Sequence, residues 1–237
     1  MTAARQTRLV QLRTRVLKQN DVVARALREE FHERGVFVTS LVSSPGAGKT
    51  EFLQQTLSRL RPDYRVAALV GDLATDNDAR RLERAGVPVR QITTGTVCHL
   101  EAEMVREALS GWSLDELDFL FLENVGNLVC PATFDLGEEL RLVLFSVTEG
   151  EDKPLKYPTI FNSADVAVIT KLDLAGAALC DLDLAGRNIQ AIRPGMEVLH
   201  VSARDGRGMS AWIELLESRR ALFSSNINSG ASGASLP

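Results

Sequence analysis

The chain has 237 residues, of which 45% are hydrophobic, and a formal net charge of −4, so it is long enough for one large domain with a substantial core. Its basic residues are spread along the sequence, which argues against a nucleic-acid surface. No apolar stretch has the length of a membrane span, and the N-terminus lacks the apolar core of a secretory signal. With only three cysteines, a disulfide framework is not expected. We therefore expect a cytoplasmic protein with reduced thiols.

The first 35 residues show apolar side chains at helical spacing. A first stripe is followed by a candidate cap at Asn20 or Asp21 and by a second stripe, and Gly35 is a typical helix end. The two stripes contain Leu9, Leu12, Val16 and Leu17, then Val23, Leu27 and Phe31. This pattern predicts an N-terminal helical extension over residues 1–35.

From residue 36 onward, short apolar runs alternate with longer amphipathic ones. This alternation is typical of an α/β fold with a doubly wound, mainly parallel sheet of about seven strands. The predicted strands are Val36–Val42, Val66–Val70, Val87–Ile92, Phe119–Leu122, Leu142–Val147, Val166–Ile169 and Val198–Val201. The clearest predicted helices are Glu51–Leu60, Asn77–Ala85, Leu100–Leu109 and Met209–Leu222. We assign residues 36–223 to this domain and expect the Ser/Asn/Gly-rich tail, 224–237, to be disordered.

Between the first predicted strand and the helix that follows it lies the segment Ser43–Thr50, with the sequence SSPGAGKT. Strand, Gly-rich turn and helix in this order are typical of the phosphate-binding loop of a P-loop NTPase. Backbone N–H groups and the start of the helix would hold phosphate oxygens. The residues expected to bind the nucleotide here are Pro45, Gly46, Ala47, Gly48, Lys49 and Thr50. Lys49 would also act in catalysis at the β- and γ-phosphates, and Thr50 would ligate Mg²⁺. Ser43 stands where the general motif has glycine.

Acidic residues follow two further predicted strands. In a doubly wound sheet, ligands bind at the carboxyl ends of the strands, so Asp72 and Glu123 are predicted to hold Mg²⁺ together with Thr50. Asp72 or Asp76 would orient the attacking water, although capping of the helix at Asn77 is an equally good reading for one of the two. Gly126 would offer its backbone N–H to the γ-phosphate.

The predicted choice of base rests on the segment Thr170–Asp173, TKLD, which resembles the Asn-Lys-x-Asp signature of GTPases. Asp173 can accept hydrogen bonds from guanine N1 and N2, which adenine does not offer, while the stem of Lys171 covers the ring. Ser202 and Ala203, after the last strand, belong to a loop expected to read guanine O6. The predicted nucleotide is therefore GTP. Thr170 replaces the signature asparagine.

A second candidate site contains Cys98, His99 and Cys130. Two thiolates and an imidazole suit Zn²⁺ or Ni²⁺, and three ligands leave the coordination incomplete unless water or a second subunit contributes. The spacing alone is equally compatible with buried, non-ligating cysteines.

Four segments together resemble the HypB family of nickel-incorporation GTPases, which belongs to the SIMIBI class of P-loop GTPases. They are Ser43–Thr50, Gly95–Met104, Glu123–Ala132 and Val147–Pro158, and the resemblance extends from about Asn20 to Leu222. It implies a GTPase that forms a GTP-dependent homodimer and helps to deliver nickel to the large subunit of [NiFe] hydrogenase, with a nickel-handling accessory protein as a further partner. It also implies that the two cysteines and the histidine of the second site bind nickel or zinc near or across the dimer interface.

Other functions remain open at this stage. Many members of the family carry a Cys-rich or His-rich N-terminal motif, which residues 1–42 lack, so nickel storage by this segment is not expected. A urease-accessory nickel GTPase would be expected to have Cys-Pro-His where this chain has Cys98-His99. The remaining alternatives are another P-loop ATPase, such as a kinase or ligase, and a protein that only buffers metal.

Overall fold

The computed structural model describes residues 3–73 and 77–232. The predicted site residue Asp76 and residues 233–237 of the predicted tail lie outside the described residues.

The described residues contain one sheet of seven strands in the order β3-β2-β4-β1-β5-β6-β7. Every neighbouring pair of strands is parallel, so the predicted doubly wound α/β fold is confirmed. The strands are β1 (Phe37–Ser43), β2 (Val66–Asp72), β3 (Val89–Thr93), β4 (Phe119–Glu123), β5 (Leu140–Ser146), β6 (Val166–Thr170) and β7 (Glu197–His200).

Helices cover both faces of this sheet. They are α1 (Ala3–Arg34), α2 (Lys49–Leu60), α3 (Asn77–Glu83), α4 (Ala102–Ala108), α5 (Lys153–Lys156), α6 (Pro158–Ser163), α7 (Ala175–Ala178), α8 (Leu182–Ile192) and α9 (Met209–Ser232). In the described part of the chain, no helix is long and apolar enough to cross a membrane.

The core lies on the two faces of the sheet. On one face, α2, α3 and α9 pack on alternate strand residues, with Trp212 and Phe52 among the largest buried side chains. On the other face, α1 and α4 cover one half and α6 and α8 the other. Because both faces are covered, every residue of β1 and β5 is buried, which explains why these strands are mostly apolar in the sequence.

The N-terminal segment is one helix rather than two. We predicted a cap at Asn20 or Asp21, but α1 runs without interruption from Ala3 to Arg34. The side chain of Asn20 is buried and bonds the backbone of two remote residues, Ala102 and Asp135. Its amide therefore does not compete for the local helix backbone, and the helix continues.

The end of the chain also differs from the prediction. Residues 224–232, expected to be disordered, continue α9 as far as Ser232. Phe223 is buried, and Ile227, one helical turn later, packs against the same core. These two contacts extend the helix beyond the predicted end at Leu222.

We expect a Phe223→Ala substitution to lower the free energy of unfolding by about 3–5 kcal/mol, because it empties a packed aromatic site. The Phe223 side chain is 4% exposed and its ring lies 5.4 Å from that of Phe37. Leu222→Ala is the matched control, since Leu222 is 63% exposed and its loss is expected to cost about 0.5 kcal/mol or less. Urea denaturation measures both; equal, small effects would show that α9 is not anchored through Phe223.

Candidate functional site

The segment between β1 and α2 has the backbone of a phosphate-binding loop. Gly46 and Gly48 have φ angles of +75° and +92°, a left-handed region that glycine adopts without strain. Gly48 immediately precedes α2, and no side chain caps the first turn of this helix. Its N–H groups are therefore directed toward the space where phosphate oxygens would bind.

Lys49 is the first residue of α2, directly after this loop, and is 8% exposed. Its Nζ donates a hydrogen bond to Ser43 Oγ at 2.9 Å. Burial lowers the pKa of Lys49, while the nearby carboxylate of Glu123 opposes this effect. Ser43, which replaces the glycine of the general motif, does not have a positive φ. The replacement is thus accommodated without strain, and its hydroxyl contacts the lysine.

Glu123, at the end of β4, has the environment expected of a cation ligand. Its side chain is 2% exposed, and Oε1 accepts a hydrogen bond from Thr50 Oγ1 at 2.7 Å. Its other oxygen, Oε2, is buried and has no hydrogen-bond partner among the described residues. Burial raises the pKa of Glu123 from 4.5 to about 7. Because a buried carboxylate oxygen without a partner is costly, this oxygen fits a bound Mg²⁺, a hard cation that prefers oxygen ligands.

Asp72 and Gly126 lie at the same edge of the sheet. Asp72 ends β2, two residues beyond Val70, which pairs with Glu123 across the sheet; its Oδ1 accepts a hydrogen bond from Leu73 N at 2.7 Å. At Gly126, an added Cβ would lie 2.9 Å from Pro45 Cα. The segment after β4 therefore touches the phosphate loop so closely that only glycine fits.

A cavity of about 260 Å³ is lined by Lys171 and Asp173, two of the residues predicted to read the base. Asp173 Oδ1 accepts a hydrogen bond from Ser202 Oγ at 2.8 Å, and Lys171 Nζ donates to Gly46 O at 2.7 Å. Ala203 and Arg204, from the loop expected to read guanine O6, also line this cavity. So do Glu51, Phe52, Leu174 and Val201, which the sequence analysis did not assign to the site.

Thr170, which replaces the signature asparagine, contacts the phosphate loop. Its side chain is buried, and Oγ1 donates to Ala47 O at 2.6 Å. The base loop and the phosphate loop are therefore joined by a hydroxyl group, which keeps the two loops together without an amide.

A larger cavity, about 560 Å³, lies at the opposite edge of the sheet, near the amino ends of β1, β5, β6 and β7. Its charged lining residues are in ion pairs: Arg193 with Asp165, Arg219 with Glu197, and Glu139 with His32. It contains none of the predicted site residues, so the smaller cavity is the better nucleotide site.

The three residues of the second site converge as predicted. One ligand atom each from Cys98, His99 and Cys130 lies within 4.8 Å of the others. The two Sγ atoms are 2.8 Å apart, which is longer than a disulfide bond, and both cysteines are free. His99 Nδ1 lies 4.0 Å from Cys98 Sγ. This donor set fits Ni²⁺ or Zn²⁺.

The pKa values of the ligand side chains determine which protons a metal would have to displace. The neighbouring thiol of Cys130, with burial adding to its effect, raises the pKa of Cys98. Burial lowers the pKa of His99, so its imidazole is neutral and able to coordinate. Because metal ligands must be deprotonated, binding of a metal would release protons from the thiols.

Two asparagines that the sequence analysis did not assign hold the metal-bearing loops. Asn124 Oδ1 accepts hydrogen bonds from Leu100 N and from Val125 N, both at 2.9 Å. Asn127 Nδ2 donates to Cys98 O at 3.2 Å. Helix α4 begins at Ala102 rather than at the predicted Leu100, because the intervening Glu101 has an extended backbone.

Comparisons with known proteins identify the family of this chain. The family model described as "CobW/HypB/UreG, nucleotide-binding domain" matches residues 37–200. The hydrogenase maturation factor HypB of Azotobacter vinelandii is 45% identical over 217 residues, which cover 91% of this chain and 71% of that protein. The solved structure of HypB from Archaeoglobus fulgidus has a TM-score of 0.80 and 35% identity, covering 86% of this chain and 99% of that one. HypB from Helicobacter pylori in complex with nickel has a TM-score of 0.81 and 38% identity, covering 86% and 97%.

The raised pKa of Glu123 predicts a pH dependence of stability. Because the folded-state pKa, about 7, is above the unfolded value of 4.5, the folded chain binds this proton more tightly. The free energy of unfolding should therefore fall as the pH rises from 4.5 to 7, by up to about 3 kcal/mol. Glu123→Gln removes the titrating group and should lack this component.

Urea denaturation of both proteins at several pH values, without nucleotide or Mg²⁺, measures the difference. The unfolding free energy of wild type minus that of Glu123→Gln should decrease across this pH range. A difference that stays constant would contradict the assignment of a buried, partly unpartnered carboxyl group.

Proposed function

Because this chain belongs to the HypB family of hydrogenase maturation factors, we propose that it is a GTP-hydrolysing metallochaperone that supports nickel insertion during [NiFe] hydrogenase maturation. The observation that carries the proposal is the contact between its two sites. A nucleotide site and a thiolate–imidazole site lie at one edge of the sheet. Between them, Asn124 Oδ1 accepts hydrogen bonds from Leu100 N, next to His99, and from Val125 N, next to Gly126.

In the proposed reaction, the chain's own residues bind and orient GTP. The phosphate loop binds the β- and γ-phosphates, with Lys49 against their oxygens and Gly126 at the γ-phosphate. Thr50, Asp72 and Glu123 would hold Mg²⁺, which supplies positive charge against the phosphate oxygens. Asp72 or Asp76 orients the attacking water. We expect slow hydrolysis, since the sequence offers no evident glutamine for this role.

Recognition of guanine rests on Asp173. Its Oδ1 is held by Ser202 at the cavity mouth, which orients the carboxylate toward a base. A carboxylate accepts two N–H bonds from guanine and finds no such pair on adenine, so GTP is favoured over ATP.

The metal bound at Cys98, His99 and Cys130 is proposed to be the cargo, nickel, with zinc as the competing ion. The nickel complex of the Helicobacter pylori relative supports this choice, and thiolate and imidazole ligands suit both metals. Three protein ligands leave at least one position open, which allows release of the ion to a partner.

Nucleotide binding is proposed to change the metal site through Asn124. When the segment Glu123–Gly126 closes on the γ-phosphate, Asn124 moves with it. Its hydrogen bond to Leu100 N transmits this movement to the neighbouring His99, and Cys130 follows on the other side of the segment. The two thiolates and the imidazole then change their separation, and the affinity for nickel changes with them.

We further propose a GTP-dependent homodimer. Val129, immediately before Cys130, is a large exposed apolar residue, and the incomplete ligand set of each subunit would be completed by the other. The proposed partners are the hydrogenase large subunit and a nickel-handling accessory protein, and we expect the reaction to take place in the cytoplasm.

Two alternatives make different predictions. A kinase or other P-loop ATPase would bind ATP as well as GTP, which the position of Asp173 disfavours. A protein that only buffers metal would bind nickel equally in every nucleotide state. A urease-accessory role is less favoured because the metal pair is Cys98-His99 without an intervening proline.

We expect Asp173→Ala to reduce the preference for guanine over adenine nucleotides by about tenfold or more, since a hydrogen bond to a charged group contributes roughly 1.5–3 kcal/mol. GDP and ADP affinities, measured by competition with a fluorescent nucleotide, give this ratio. Asp183→Ala, at an exposed position of α8, is the matched control. Equal affinities of the wild type for GDP and ADP would refute the proposed base recognition.

We expect Cys98→Ser and Cys130→Ser each to lower nickel affinity by more than about 100-fold, the upper range seen when only outer-shell partners are lost. Each variant should also lose the thiolate-to-nickel absorption. Cys180→Ser is the control, because Cys180 is a third free cysteine outside the cluster. Equilibrium dialysis measures the affinity; wild-type nickel binding by Cys98→Ser would eliminate this site as the nickel site.

A further inference from the structure

Asn20 is a buried polar residue in the middle of α1, with 6% of its surface exposed. Its side chain makes two long-range hydrogen bonds to backbone groups. Oδ1 accepts from Ala102 N at 2.9 Å, and Nδ2 donates to Asp135 O at 2.8 Å. The amide thus uses both ends, and each end reaches a different segment of the chain.

Both of these segments carry metal ligands. Ala102 is three residues after His99, at the first turn of α4, where no local side chain caps the helix. Asp135 is five residues after Cys130 and follows the 3-10 turn that contains this cysteine. Asn20 therefore fixes the distance between the segment that brings in Cys98 and His99 and the segment that brings in Cys130.

Two further contacts hold the same segments together with Asn20. Arg28, on the same helix α1, also contacts Asp135: its guanidinium donates a hydrogen bond to Asp135 Oδ1 at 2.7 Å. At the ligands themselves, Asn127 joins the Cys130 loop to Cys98 O. Helix α1 thus contacts both ligand-bearing segments several residues from the ligands, while Asn127 joins the two segments at Cys98 itself.

We propose that Asn20 is a positioning residue for the nickel site. It touches neither metal nor nucleotide, and it acts by holding the two ligand-bearing segments in register. This inference rests on the proposed function, because it takes Cys98, His99 and Cys130 as the ligands. Residues that orient metal ligands from outside the coordination shell typically change metal affinity by about 10–100-fold.

The test compares Asn20→Ala and Asn20→Asp with the wild type. The alanine variant loses both hydrogen bonds. The aspartate variant keeps an acceptor for Ala102 N, but it loses the donor to Asp135 O and places two acceptors against each other. Lys18→Ala, at an exposed position of the same helix, is the matched control. The measurements are nickel affinity, the nickel–thiolate absorption spectrum and GDP affinity.

We expect both Asn20 variants to bind nickel about tenfold or more weakly with an altered absorption spectrum, while GDP affinity stays within about twofold because the nucleotide site receives no bond from Asn20. A purely structural role would lower the unfolding temperature and leave nickel affinity and spectrum unchanged. That result in either folded variant overturns the inference.

The outcomes also separate this inference from the proposed function. If Asn20→Ala does not fold, as shown by loss of GDP binding, Asn20→Asp decides the question. Should neither fold, Asn20→Ser, which keeps one hydroxyl donor and acceptor, replaces them. If the wild type binds nickel and the Asn20 variants bind it with the same affinity, only the inference about Asn20 is rejected. If the wild type does not bind nickel, the inference and the proposed function are both rejected.

Discussion

A parallel sheet puts the carboxyl ends of all its strands at one edge, and the functional organisation of this protein depends on that constraint. The phosphate loop follows β1, Asp72 ends β2, the Cys98 loop follows β3, Glu123 ends β4 and the base loop follows β6. Residues that are far apart in the sequence are therefore neighbours at this edge. Two sites share it because the chain returns there after each strand, and no separate domain is needed to bring metal and nucleotide together.

Two buried ionisable side chains at this edge lack full charge compensation within the described residues. Lys49 and Glu123 are both buried, and each carries a pKa shifted toward its neutral form. Burying charges without full compensation costs stability. In the proposed site, a magnesium–nucleotide complex would supply phosphate oxygens for the lysine and a cation for the carboxylate, and would so offset the cost of burying both groups. The thiol pair differs from these two groups, because a metal bound there would have to displace thiol protons.

Features that depend on neighbouring residues in the sequence, such as strand positions and short motifs, could be predicted from it. The predicted ends of all seven strands lie within two residues of the observed ones, because most of these strands are mostly apolar and lie between turn signals. Lys49, Glu123 and Asp173 follow from motifs and from their positions after strands. A long-range hydrogen bond of a single side-chain amide leaves no periodic signal in the sequence. The pattern therefore predicts that Asn20 caps its own helix, whereas its Oδ1 accepts from Ala102 N, the first residue of α4. The same limit concealed Asn124. The predicted disorder after Phe223 failed because Ile227 reaches the core, a contact that composition does not show.

The central claim is that one edge of the sheet couples nucleotide to metal. Its most direct test is the nickel affinity of the wild-type protein without nucleotide, with GDP and with a non-hydrolysable GTP analogue, together with the molecular mass by light scattering in each state. The account predicts that affinity and mass both change with the analogue, and that nickel changes the affinity for the analogue by the same factor. Identical nickel affinity in all three states would contradict it and leave a nucleotide-binding protein with an independent metal site.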